Sequence, residues 1–148
     1  MTCDLNYIIC GLLNKKLAIY DRKNLELIET LSGHTDHIWS VDMTQHLIVS
    51  GSWDATVKLW SKYSWKILDT FAHPDHKEIS GVKFSVNGQY IYVSCLSGAL
   101  TILKLEHKKL SLAKIIHCQQ EFGEIYSLAV DKNYILTGKT NCIYFQNF

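Results

Sequence analysis

Three groups of residues have the types and spacing to do chemistry. His34, Ser50 and Asp54 are the side chains of a hydrolase triad: a base, a nucleophile and a carboxylate to orient the base. Two His-x-x-His pairs, His34/His37 and His73/His76, could offer four imidazoles to zinc. Trp39 and Trp53, with Tyr126 farther along, could give a partner the apolar area and polar handle of a binding hot spot. Each group also has a plainer explanation, and the elements that position it decide between the two.

Those elements repeat. Cys10-Gly11, Ser50-Gly51 and Thr137-Gly138 each close an apolar run: Tyr7-Ile8-Ile9, Leu47-Ile48-Val49 and Tyr134-Ile135-Leu136. Gly11 and Gly51 are 40 positions apart, and Gly51 and Gly138 are 87 apart, which leaves room for one copy between them. That copy is Tyr90 to Cys95, with Ser94 where the glycine would stand. Tyr20 and Trp60, again 40 apart, follow as strand-closing aromatics expected in the core. Within a repeat, the alternating or wholly apolar runs of four to eight residues between turn signals predict β-strands. The second copy gives strands at 38–43, 47–52, 56–61 and 65–71, and the third at 79–85, 89–95, 99–104 and 109–116. Asn87-Gly88 marks a hairpin. Met1 falls inside what should be a first strand, and the chain ends on a third strand at 143–145.

The run LSGHTDHIWSVDMTQHLIVSGSWDATVKLWS, Leu31 to Ser61, brings these signals together: Gly33-His34, an apolar strand, a strand ending Ser-Gly-Ser, a turn at Asp54 and a strand closed by Trp60. This order resembles a WD40 repeat, the four-stranded blade of a β-propeller, and the spacing matches its ~40–45-residue period. The resemblance implies an all-β fold: a partial WD40 β-propeller of about three and a half four-stranded antiparallel blades. The blades would run 1–31 (incomplete), 32–71 (the full match), 72–117 (divergent) and 118–148 (incomplete). Such propellers close with ~4–8 blades. The chain therefore reads as part of a larger ring: a truncated product, an excised fragment, or an arc completed by a partner or by the rest of the chain.

The resemblance also implies roles. His34, Ser50 (or Ser52), Asp54 and Trp60 would form a buried hydrogen-bonded tetrad that locks the blade, which displaces the triad reading. Trp39 and Trp53, with His37 beside them, would line the top face where ligands dock. By alignment Ser80 and Tyr126 hold the Trp39 position in the third and last blades. Ile38 and Val41 would be the core residues of their strand, with a bulge between them that turns Trp39 outward. The sequence departs from the pattern in places. Neither Trp60-Ser61 nor Tyr20-Asp21 is a full Trp-Asp, Asn14 and Asn141 replace the turn aspartate, and the third and fourth blades lack Gly-His. The His-x-x-His loops, HTDHI and HPDHKEI, sit at equivalent places in successive repeats. No carboxylate or cysteine lies at ligand spacing, so no metal or cofactor is expected.

Composition excludes further classes. The 148 residues are 47% hydrophobic with a formal charge of +1, and charges of both signs are scattered. That argues against a nucleic-acid or anionic-membrane surface. No run approaches the ~18 apolar residues of a membrane span, and the N-terminus lacks the basic region of a signal peptide. Five cysteines, without a C-x-x-C pair, fit buried small hydrophobes in a reducing cytoplasm or nucleus. The expectation is a non-catalytic scaffold or peptide-motif receptor whose partners are proteins. One alternative is the substrate-recognition part of an F-box/WD-type ubiquitin ligase, although Arg22 is the only arginine. A propeller-fold enzyme is the other.

Overall fold

A computed structural model describes residues 1–117, 124–131, 134–139 and 143–147. Fifteen strands form four antiparallel sheets, and no helix occurs among the described residues. The first sheet holds β1 (Thr2–Cys3), β2 (Tyr7–Gly11), β3 (Lys16–Asp21) and β4 (Leu27–Ser32). The second holds β5 (Ile38–Met43), β6 (Leu47–Ser52), β7 (Thr56–Ser61) and β8 (Ile67–Ala72). The third holds β9 (Ile79–Phe84), β10 (Tyr90–Cys95), β11 (Ala99–Glu106) and β12 (Lys109–His117). The fourth holds β13 (Ile125–Val130), β14 (Tyr134–Lys139) and β15 (Ile143–Asn147). Each strand pairs only with its neighbours in sequence. This is the up-and-down meander of a propeller blade, repeated without ring closure.

The core lies between sheets. Alternation along each strand sends one set of side chains toward the following sheet and the other toward the preceding one. Ile9, Leu17 and Ile19 of the first sheet meet Ile38, Ile48 and Trp60 of the second. Val49, Val57 and Leu59 of the second meet Ile79, Val82 and Phe84 of the third. Polar stitches join the same sheets: the Val82 N–H donates to Ser40 Oγ at 3.1 Å, and the Phe84 N–H to Asp42 at 3.0 Å. Trp60 faces backward onto the first sheet and is 2% exposed. Its counterpart Tyr20 holds the same register in the first sheet, behind which no other sheet of the described residues packs. Tyr20 is therefore only half-buried, not the core residue expected.

The missing glycine of the third repeat is accounted for by its cross-strand partner. Ser40 lies opposite Gly51, but Gly81 lies opposite Ser94, and Ser127 opposite Gly138. A Cβ on Gly51 would stand 2.5 Å from Ile79 Cγ2 of the next sheet. One on Gly81 would stand 2.4 Å from Ser94 Oγ and 3.0 Å from Leu128 Cβ. One residue of each pair must lack a side chain for the strands and sheets to approach; which strand supplies it can change.

Several expected boundaries shift for local reasons. The strand predicted from Trp65 starts at Ile67, because Trp65 takes φ 56° and closes a turn on the Ser61 carbonyl. Ser85 leaves the strand predicted to include it and instead braces the Asn87-Gly88 hairpin, accepting the Tyr90 N–H at 2.9 Å. Gln89 belongs to that hairpin too, so β10 begins at Tyr90. The strands β11 and β12 run on to Glu106 and His117. Thr2 and Cys3 pair with Ile9 and Ile8, so the first sheet has four strands, the first a two-residue stub.

Candidate functional site

The loop Gly33–His37 before β5 and the turn after β6 meet at one edge of the second sheet, where the Trp53 N–H donates to the His37 carbonyl. Inside that edge the four tetrad side chains come together. With Asp54 ionised, His34 Nδ1–H donates to Asp54 Oδ2 at 2.8 Å. His34 Nε2 then accepts the Ser50 hydroxyl at 2.7 Å, and Trp60 Nε1–H donates to Ser50 Oγ at 2.8 Å. Every polar atom of the chain Trp60–Ser50–His34–Asp54 has a partner, as burial demands. Ser50, not Ser52, is the hydroxyl of this chain. Ser52 instead donates to the Asp36 carbonyl and accepts the Asp54 N–H, both at 3.1 Å.

Sequence reasoning missed a fifth member. Thr56 donates its hydroxyl to Asp54 Oδ1 at 2.6 Å, and the backbone N–H groups of Thr35 and Thr56 reach the same carboxylate at 2.9 Å. Burial alone would raise the Asp54 pKa. The hydrogen bonds from His34, Thr56 and Thr35 outweigh it and hold the carboxyl well below the usual carboxylate range. The turn position of Asp54 contained part of the signal, since a turn aspartate commonly accepts the backbone N–H two residues on, here that of Thr56.

The distances within Ser50–His34–Asp54 are those of a hydrolase triad, yet access is absent. Ser50 is 0% exposed, and its oxygen already accepts the Trp60 indole. A nucleophile in that position cannot meet a substrate.

One histidine of each His-x-x-His pair is likewise committed. His34 is bonded as above, and His73, 1% exposed, meets Thr101 Oγ1 at 2.9 Å. Burial pushes the His73 pKa down. The third blade thus keeps a reduced buried His–hydroxyl contact, where the sequence suggested none. No three His, Cys, Asp or Glu side chains converge as metal ligands among the described residues.

The outer surface of the same edge is aromatic. The β5–β6 pairing slips between Ile38 and Ser40, so Trp39 is an extra, bulged residue turned out of the sheet. Ile38 and Val41 on either side are each 3% exposed. Trp39 stacks on Trp53 with ring centroids 5.1 Å apart and planes 15° apart, and His37 meets the edge of Trp53 at 5.4 Å. Trp39 remains 44% exposed. His37 Nδ1 and Trp53 Nε1 are buried without a hydrogen-bond partner among the described residues. Tyr126 occupies the matching bulge of β13, two sheets away, 48% exposed and donating its hydroxyl to Glu124.

Ser80 departs from the expected surface. It is 3% exposed and bonded to Ser94 Oγ at 3.1 Å, since a small hydroxyl in that position folds inward where an indole cannot. Three of the five candidate surface residues, His37, Trp39 and Trp53, therefore form one patch.

The cysteines divide. Cys95 is buried and free, and burial together with the nearby Asp75 and Glu78 charges pushes its thiol up to about 12. Cys3, expected inside, is exposed on the two-residue strand, and Cys10 is half-buried. Cys118, Cys142 and the Asn141 turn lie outside the described residues.

Residues 25–61 and 65–102 match the WD40 family, described as "WD domain, G-beta repeat". The chain belongs to the WD40-repeat family. Both matched segments include the strands that carry the tetrad residues or their third-blade counterparts. COMPASS component SWD3 of Saccharomyces cerevisiae is 29% identical over 107 residues, covering 66% of this chain and 34% of that protein. Periodic tryptophan protein 2 homolog of Caenorhabditis elegans is 38% identical over 91 residues, 60% of this chain and 9% of that protein. The WD40 chain thus spans about a third or less of the length of these curated relatives. Among solved structures, the computationally designed Ika4 protein superposes with a TM-score of 0.82 at 17% identity, covering 98% of this chain and 87% of that one. That likeness concerns the fold.

Proposed function

We propose that this WD40 chain is a non-catalytic interaction module that docks a protein or peptide on the Trp39–Trp53 edge of its second blade. The exposed, stacked indole pair carries the reading. Burying a half-exposed tryptophan is among the most favourable things a partner can do, and such residues dominate measured interfaces. The Trp53 Nε1–H beside it, buried without a hydrogen-bond partner among the described residues, adds support, because an unsatisfied buried polar atom is costly unless a ligand or a solvent molecule completes it. Similarity to a protein named as a COMPASS component agrees with a role inside a protein assembly. The enclosed Ser50 speaks against hydrolysis at the triad, and free Cys95 suits a reducing compartment of the cell.

The test is affinity capture from cell lysate with the wild-type chain and Trp39→Ala, followed by mass spectrometry. Loss of a specific set of proteins from a variant that melts like wild type supports the docking edge. Full retention of every partner by that folded variant removes it.

A further inference from the structure

The third blade keeps the buried histidine of the second but not its carboxylate. Of residues 73–78, the loop that carries the chain from β8 to β9, only His73 is buried. Its backbone N–H donates to the Ala55 carbonyl of the second blade at 2.9 Å, and its own carbonyl accepts the His76 N–H at 3.0 Å. Both ring nitrogens are taken as well. Nδ1 accepts the Asp75 N–H at 3.3 Å, so Nε2 carries the proton and donates it to Thr101 Oγ1 of β11 at 2.9 Å. His34, by contrast, has the Asp54 carboxylate 2.8 Å from its Nδ1. Ser97 holds the place of Asp54 in the third blade, and among the described residues no carboxylate is hydrogen-bonded to the His73 ring.

We infer that His73 is an acid-sensitive latch: neutral, it pins the 73–78 loop across the seam between the second and third blades, and taking up a proton releases that loop. A second ring proton would sit on Nδ1 and face the Asp75 N–H, donor against donor, and it would leave a charge buried without an acceptor. Release removes both penalties, and the rest of the loop is already exposed. The ionisable groups around the ring are Asp75, His76, Lys77 and Glu78 on its own loop, His117 at the end of β12, the buried Cys95 of β10, and Asp54 in the turn before Ala55. Asp54 is committed to His34 and Thr56. Burial, aided by His117 and His76, holds the His73 pKa below its ordinary value, and Asp75 opposes this only in part. A histidine lowered in this way lends stability that is complete above its unfolded pKa of about 6.5 and is lost as pH falls through that value toward the folded one. The loop therefore opens at milder acidity than the Asp54 network.

The experiment is hydrogen exchange of the His73, Asp75 and His76 amides in the full chain, read by NMR at pH 7.5 and pH 5.5 and corrected for the intrinsic pH dependence of exchange. Their protection should fall about tenfold between the two, as expected when opening exposes one group of pKa about 6.5, while the amides of β6 and β7 keep theirs. His73→Gln can still accept the Asp75 N–H and donate to Thr101 but takes up no proton, so its loop should show no such fall. The double variant His76→Gln, His117→Gln should retain it. Protection that stays level in wild type overturns the latch, and so does a fall that survives in His73→Gln but vanishes in the double variant. Should His73→Gln not fold, the ring nitrogen signals of the wild-type chain decide. In the closed loop His73 is expected to remain neutral and protonated on Nε2 at pH 5.5; a ring that takes up its proton near pH 6.5 with the loop still protected overturns the inference.

Discussion

Trp39 and Trp60 lie on the same blade, yet one is 44% exposed on the edge and the other 2% exposed beneath it, bonded to Ser50. Their truncations should therefore separate binding from folding. Trp60→Ala opens a core cavity and removes the indole N–H that Ser50 accepts, at a cost of about 3–5 kcal/mol. Trp39→Ala removes an exposed ring from Trp53 and should cost no more than about 1 kcal/mol. Thermal melts of the two variants check this. If Trp39→Ala melts as low as Trp60→Ala, the indole pair is a packing element and not a platform.

Asp54 is the residue on which the polar network converges. Asp54→Ala leaves His34 Nδ1 and the Thr56 hydroxyl without their acceptor, and should destabilise the protein by about 1–3 kcal/mol. A double-mutant cycle with His34→Ala should recover part of that loss, because the two residues act in one network. Urea unfolding of the four proteins measures the coupling, and strict additivity would contradict a shared network.

The same carboxylate sets an acid limit. The folded Asp54 pKa lies below its unfolded value of about 3.9. Its contribution is thus complete above roughly pH 4 and is lost progressively as pH falls through that value toward the folded pKa. Asp69, which accepts the Leu110 N–H and pairs with Lys109, is lowered in the same direction and adds to the loss. Melting temperature measured between pH 7 and pH 2 should fall more steeply for wild type than for Asp54→Asn. Parallel curves would show that Asp54 is not held ionised by the network.

Two glycines invite opposite comparisons. Gly51→Ala drives a Cβ into Ile79 and Val82 of the next sheet, and should cost about 1–3 kcal/mol through a strained blade contact. Gly88→Ala meets nothing within 4 Å, so only its φ of +69° opposes the change, at about 1 kcal/mol. Chemical denaturation of both variants distinguishes crowding from backbone strain, and an equal or reversed order would refute the tight Gly51 approach.

Much of this architecture was legible in the sequence because it repeats. The recurring apolar runs located nearly every strand, and the order Gly-His, Ser-Gly-Ser, Asp, Trp placed the buried network on residues 31–61. The spacing of Ile38 and Val41 was enough to foresee the bulge at Trp39. What escaped depended on neighbours that a linear pattern does not contain. Among the described residues Tyr20 has no sheet behind it, whereas Trp60 has one. Ser80 shares the alignment of Trp39, but its hydroxyl is short enough to turn inward onto Ser94. Trp65 looked like the start of a strand, although its backbone is spent on a turn. Thr101 meets His73 only after β11 and the loop before β9 are brought together.

The serine–glycine pairs across the first two strands define what can be exchanged between blades. A single strand carrying Ser94, moved into the place of the strand carrying Gly51, would set serine opposite Ser40 and press a side chain onto Ile79. A transplanted strand carrying Gly81 would leave two glycines facing each other and a gap between them. Only the two-strand hairpin travels intact. Duplication, recombination or engineering of this repeat therefore has a natural cut site in the turn after the second strand, and none between the first and the second.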